Sequence, residues 1–103
     1  MKLETRNAVV RISIRSTEDV DTWILQGRLA GQAVAELTNA WKVQRRETSG
    51  RKAVVDLVDL TFVDELGERA LMTMMADGAE FVVRGLYSRS LVESLMKRRT
   101  GEE

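Results

Sequence analysis

Residues 53–60 read AVVDLVDL. The run is short and nearly all apolar. It fits a central strand better than an edge strand. The residues that follow fix its surroundings. Thr61, Phe62 and Val63 lead out of the strand, and Asp64 is a good helix N-cap. Residues 65–77, ELGERALMTMMAD, carry Leu66, Ala70, Leu71, Met74 and Met75 as the apolar stripe of a helix. Gly78 sits where a C-cap glycine belongs, and residues 80–84, EFVVR, form a further strand. A strand–helix–strand unit of this kind implies parallel strands joined by a right-handed crossover, so the chain is expected to be α/β.

The flanks extend the pattern. In residues 9–16, Val10, Ile12 and Ile14 alternate with Arg11, Ser13 and Arg15, which gives a strand with one dry and one wet face. A polar turn at 16–19 leads to a second strand at 22–26, with Trp23 and Leu25 on one face, and the short connection predicts an antiparallel hairpin. Gly27 and Gly31 are expected to end that strand. Residues 32–47 are helical in pattern, with Ala33, Val34, Leu37, Ala40 and Trp41 on one face and Glu36, Lys42, Arg45 and Arg46 mostly on the other; residues 48–50 close the helix. Gly85, Leu86 and Tyr87 read as a turn. Ser90 and Glu93 match a capping box, opening a third helix on Leu91, Val92, Leu95 and Met96, and Lys97, Arg98 and Arg99 suit its C-terminal dipole. The predicted order is β-β-α-β-α-β-α. The expectation is one domain over residues 1–103, with a frayed tail at 100–103 and a mixed sheet of about four strands carrying three helices mainly on one face.

Composition narrows the function. The 103 residues include 16 Lys+Arg and 16 Asp+Glu, so no bulk charge calls for nucleic acid or an anionic membrane. There is no Cys, so no disulfide and no thiolate nucleophile, and no His, the commonest general base and metal ligand. Nothing approaches the roughly 20 apolar residues of a membrane span, and the first ten residues lack a secretory core. The expectation is a cytoplasmic protein with no membrane insertion, no nucleic-acid partner, no cofactor and no resident metal.

Residues 54–85 resemble the STAS domain of bacterial anti-sigma-factor antagonists. The family shows a strand ending in D-L-x-x-L-x-F-x-D, followed by a glycine at the start of a helix. Asp56, Leu57, Leu60, Phe62, Asp64 and Gly67 match that pattern, and Leu25, Gly27 and Leu29 match its upstream L-x-G-x-L element. The resemblance runs from about Val9 to Met96. It implies a STAS-like fold and a non-enzymatic, partner-binding module, commonly engaging an anti-sigma factor with a kinase-like ATPase fold and releasing a sigma factor. Two departures stand out. Phosphorylated antagonists carry serine after the motif Asp, whereas this chain has Glu65 and then Leu66. Longer relatives also carry a further strand and helix, which makes an uncovered edge and homodimerisation an expectation here.

The motif region has its own physics. A carboxylate at Asp64 can accept from amide N–H groups of the first helical turn, where negative charge is favoured. A phosphoserine there would add about −1.5 to −2 charge, and Glu65 supplies a fixed negative charge at the equivalent place. Alternatively, Glu65 is an ordinary first-turn residue contributing up to about 1 kcal/mol. Gly67 bares the first turn, so that a partner backbone can approach. The predicted contact surface is therefore Thr61, Phe62, Asp64, Glu65, Leu66, Gly67, Glu68 and Arg69.

Other residues have plainer readings. Thr61 and Ser88 are the nearest hydroxyls able to replace the missing phosphosite. Met74 and Met75 read as core with Met72 at its edge, although methionines also make adaptable binding surfaces. Trp23 and Trp41 read as packing, and the Arg51–Lys52 pair and the 97–99 run as solvated ends. Asp56, Asp59, Asp64, Glu65 and Glu68 offer carboxylates for Mg²⁺, but no nucleophile–base pair or phosphate loop accompanies them. The alternative function is an assembly or small-ligand-binding STAS subunit, associated with a transporter or sensor.

Overall fold

The computed structural model describes residues 10–47 and 50–99. The expected frayed tail at 100–103 and the helix-closing Thr48 and Ser49 lie outside the described residues. The elements are β1 (Arg11–Ser16), β2 (Val20–Leu29), α1 (Gln32–Glu47), β3 (Lys52–Asp56), β4 (Leu60–Val63), α2 (Glu65–Ala76), β5 (Glu80–Val82) and α3 (Gly85–Arg99). The sheet is mixed and has five strands. β1 lies antiparallel to β2, with Ile12 opposite Leu25 and Ile14 opposite Trp23. β3 runs parallel to the first half of β2 and β4 parallel to its end, while β5 runs parallel to β3.

The fifth strand corrects the reading of residues 53–60 as one element. Asp56 accepts the Val58 N–H through Oδ1 at 2.9 Å, a local Asx turn that competes with the ladder and bends the chain. Leu60 N–H then donates back to the Leu57 carbonyl at 3.1 Å, and the chain re-enters the sheet as β4. Gly27 likewise does not end β2. It takes φ +95°, and the strand continues through Leu29.

Helix α1 spans its predicted residues, with Ala33, Val34, Leu37 and Trp41 buried. Helix α2 starts on its predicted Asp64 cap. Gly78, at φ +101°, closes α2 by donating to the Met75 carbonyl at 3.0 Å. Helix α3 begins at Gly85, six residues before the Leu91 start that a Ser90 cap indicated. Gly85 at φ +87° makes the corner, and the Ser88 hydroxyl accepts the Arg84 N–H at 3.0 Å and donates to the Arg84 carbonyl at 2.9 Å.

All three helices pack on one sheet face. The core joins Trp23, Leu25 and Val55 of the sheet to Leu37 and Trp41 of α1, Leu71 and Met74 of α2, and Leu91 and Leu95 of α3. Trp23 and Trp41 meet edge to face at 5.2 Å between centroids, a geometry favoured by the ring quadrupoles. Ile14 shares that dry face but lies at the sheet edge, beyond full cover, and stays 40% exposed.

In the two basic segments read as solvated ends, Arg51 and Arg98 also tie elements together. Arg51 donates through Nη2 to Oδ1 of the buried Asp21 at 2.9 Å and also to the carbonyls of Thr17, Glu18 and Val20. It thereby clamps the β1–β2 turn to the start of β3. Arg98 pairs with Glu68 at 2.6 Å, tying α3 to α2.

Candidate functional site

The site is built where β2, β4 and α2 meet, at the carboxyl end of the parallel strands. In open α/β sheets this end gathers the helix N-termini and the ligand-facing loops. The β2–β4 pairing runs Gly27 to Leu60 and then Arg28 to Phe62, passing over Thr61. The extra residue is a bulge, and bulges re-aim side chains. Thr61 and Phe62 are consequently both exposed between buried Leu60 and Val63. Thr61 spends its hydroxyl on the Gly27 carbonyl at 3.0 Å. The Phe62 ring stands 39% exposed with the Arg28 guanidinium 4.4 Å from its centroid, a cation–π contact.

Asp64 is the pivot. Its Oδ1 accepts the Gly67 N–H at 2.8 Å and its Oδ2 accepts the Gly31 N–H at 3.0 Å. Its own N–H donates to the Leu29 carbonyl at 3.1 Å. One carboxylate thus caps α2 and holds the entry to α1. The bonds from Gly67 and then Gly31 hold the Asp64 carboxyl below the ordinary carboxylate range.

Gly67 is buried, and a Cβ there would lie 2.7 Å from the Leu29 carbonyl oxygen and 2.8 Å from Val63 Cγ1. The close backbone approach that its bareness permits is therefore made by β2 of the same chain, not left open for another molecule. Outward from the same turn stand Glu65, Leu66 and Arg69. Glu65 and Arg69 form an exposed i,i+4 pair at 3.3 Å, and Leu66 is 56% exposed. Glu68 turns toward α3 and Arg98.

The eight residues singled out by sequence lie around the β4–α2 junction and do two kinds of work. Asp64, Gly67 and Glu68 set the junction; Thr61, Phe62, Glu65, Leu66 and Arg69 meet solvent. Ser88 does not share the surface of Thr61, because it is buried and its hydroxyl is occupied by Arg84. Sequence reading missed Arg28 and Gly31. Their signal was the L-x-G-x-L element, which places them beside the segment ending at Asp64 once β2 and β4 pair in parallel. Among the described residues no group of three or more acidic side chains could hold a metal ion. Asp56 and Asp59 are engaged instead, Asp56 by Val58 and Asp59 by the Gln26 amide at 3.3 Å. No described helix is long and apolar enough to cross a membrane.

No protein-family model and no curated protein sequence matches the chain. Solved structures do match. A protein of the DUF3478 family with a SpoIIAA-like fold, from Shewanella loihica PV-4, superposes with a TM-score of 0.57 at 11% identity, covering 84% of this chain and 77% of its own. An antisigma-factor antagonist STAS domain from Rhodobacter sphaeroides gives 0.55 at 17% identity, over 77% of this chain and 89% of its own. The crystal structure of Mglu gives 0.55 at 20% identity over 72% of this chain, which spans only 19% of that protein. The strand order, the five-stranded mixed sheet and the one-sided helices agree with these likenesses, and the chain has the SpoIIAA-like fold of STAS domains.

Proposed function

We propose that this chain is a non-enzymatic regulatory module that binds a protein partner through the surface at 61–69, in the manner of an anti-sigma-factor antagonist. The observation that carries the reading is that Phe62 and Leu66, two large apolar side chains, both stand in solvent, one on each side of the junction fixed by Asp64. Apolar groups on a rigid, rimmed surface are the usual anchors of a protein interface. The likeness to an antisigma-factor antagonist supports the kind of partner.

Glu65 gives this surface a permanent negative charge beside the apolar pair, where phosphorylated STAS antagonists carry serine. Partner binding then does not wait on a kinase. Titration with an anti-sigma ATPase, where one is encoded beside the gene, tests this. Glu65→Ser is expected to change the affinity and to create a phosphate acceptor, and a variant unaltered in both respects would rule out the charge role. Loss of partner binding in Leu66→Asp tests the surface itself, independently of Glu65.

A second reading, an assembly subunit, is favoured by β1. It is an edge strand in the sheet order, with Ile14 incompletely covered. Light scattering across a concentration series separates the two readings: a monomer at all concentrations excludes the assembly subunit.

A further inference from the structure

Two clefts lie end to end between α1 and α2. The first, of about 320 Å³, opens beside the candidate site and is walled by Val34, Ala35, Leu66 and Ala70. The second, of about 400 Å³, is bordered by Trp41, Lys42, Arg45, Arg46 and Asp77. Thr38 and Thr73 line both, so the two make one groove, largely apolar at one end, where Arg69 is the one charged lining residue, and basic at the other. Thr38 and Thr73 turn their hydroxyls onto the Val34 and Arg69 carbonyls of their own helices, which leaves their methyl groups for the groove.

The basic end carries three cations, Lys42, Arg45 and Arg46, against one carboxylate, Asp77. Among the described residues Lys42, Arg45 and Arg46 form no ion pair with a carboxylate. Asp77, the one carboxylate there, accepts the Trp41 indole N–H at 2.7 Å. Arg45 lies 5.1 Å from the Trp41 ring centroid and donates to the carbonyls of Arg51 and Asp77. From Val34 to Arg46 the groove follows α1 for about 18 Å, the length of roughly three helical turns. A cleft between two helices with one apolar end is the shape that accepts an amphipathic third helix.

We infer that the α1–α2 groove is a docking site for an acidic amphipathic helix of a protein partner. Its apolar stripe packs on Val34, Ala35, Leu66 and Ala70, and its carboxylates lie over Lys42 and Arg46. The groove meets the 61–69 surface at Leu66 and Arg69, yet its chemistry is separate: charge complementarity along α1, not the bulge of β4.

The test is fluorescence anisotropy with the full chain and a labelled amphipathic peptide of about 15 residues, leucines at i and i+4 on one face and glutamates at one end. The expected result is saturable binding that weakens as salt rises. The double variant Lys42→Glu, Arg46→Glu, at two exposed positions, is expected to lose about tenfold or more in affinity, and Ala35→Glu to lose binding as well. Phe62→Ala is expected to bind the peptide as the parent does, which separates this groove from the 61–69 surface. Absence of binding up to about 1 mM, equal binding of a peptide with lysines in place of the glutamates, or no effect of the charge reversal would overturn the assignment. Tighter competition by single-stranded oligonucleotide for the same cations would overturn it too.

Discussion

Asp64 and Gly31 stand 33 positions apart in sequence and are joined by one hydrogen bond, from the Gly31 N–H to Asp64 Oδ2 at 3.0 Å. The bond locks the entry of α1 to the entry of α2, while the other carboxylate oxygen caps α2 at Gly67. Asn at position 64 can keep the cap but presents an amide N–H₂ or a single oxygen to two donors. Asp64→Asn is therefore expected to lower Tm, and Asp64→Ala to lower it further, as measured by circular dichroism.

The same carboxylate sets an acid limb. Its folded pKa lies below the unfolded value, because the Gly67 and Gly31 N–H groups favour the charged form. Its contribution is complete above the unfolded carboxyl pKa of about 3.9 and is lost as pH falls through the folded value. Urea midpoints measured from neutral pH downward are expected to fall less steeply over that window in Asp64→Asn than in the parent.

Gly67 tests the packing beneath the site. Its helical conformation has no positive φ, so Ala would raise helix propensity by up to about 1 kcal/mol in an open helix. Here the added methyl would meet the Leu29 carbonyl oxygen at 2.7 Å and Val63 at 2.8 Å. Overpacking of this kind costs about 1–3 kcal/mol, so Gly67→Ala is expected to destabilise the fold in urea titrations, against the propensity trend.

Arg51 is expected to be intolerant of Lys. Its guanidinium serves Asp21 and three carbonyls of the β1–β2 turn at once. A lysine ammonium on a flexible stem cannot reproduce that fork. Arg51→Lys should lower Tm and Arg51→Ala more so, because the latter leaves the buried Asp21 without this partner; equal Tm values in all three proteins would remove the clamp from the account.

The elements with a strong period were legible in the sequence. The faces of α1 and α2, the Asp64 cap and the β1–β2 hairpin all follow from local pattern. What was not legible depended on pairing partners. The break at Asp56–Val58 is a side-chain bond inside a run that reads as one strand, and the bulge at Thr61 exists only against Gly27 and Arg28. The start of α3 was hidden because Ser88 works on Arg84 behind it, while the Ser90–Glu93 spacing imitates a cap. For the site, sequence located the segment but not its division of labour. Gly67 reads as bare from its residue type alone, and only the fold shows Leu29 filling the space.

The most direct test of partner binding at the 61–69 surface uses the absence of cysteine from the chain. A single Leu66→Cys carries a thiol-linked photocrosslinker on the site, and Ser13→Cys carries it on the edge strand β1, which does not pair with β4. Both proteins are irradiated in extract of the native host. One discrete protein adduct is expected from position 66, absent from position 13 and lost when Phe62→Ala is added. Equal adducts from both positions, or an adduct at 66 indifferent to Phe62, would contradict partner binding at this surface.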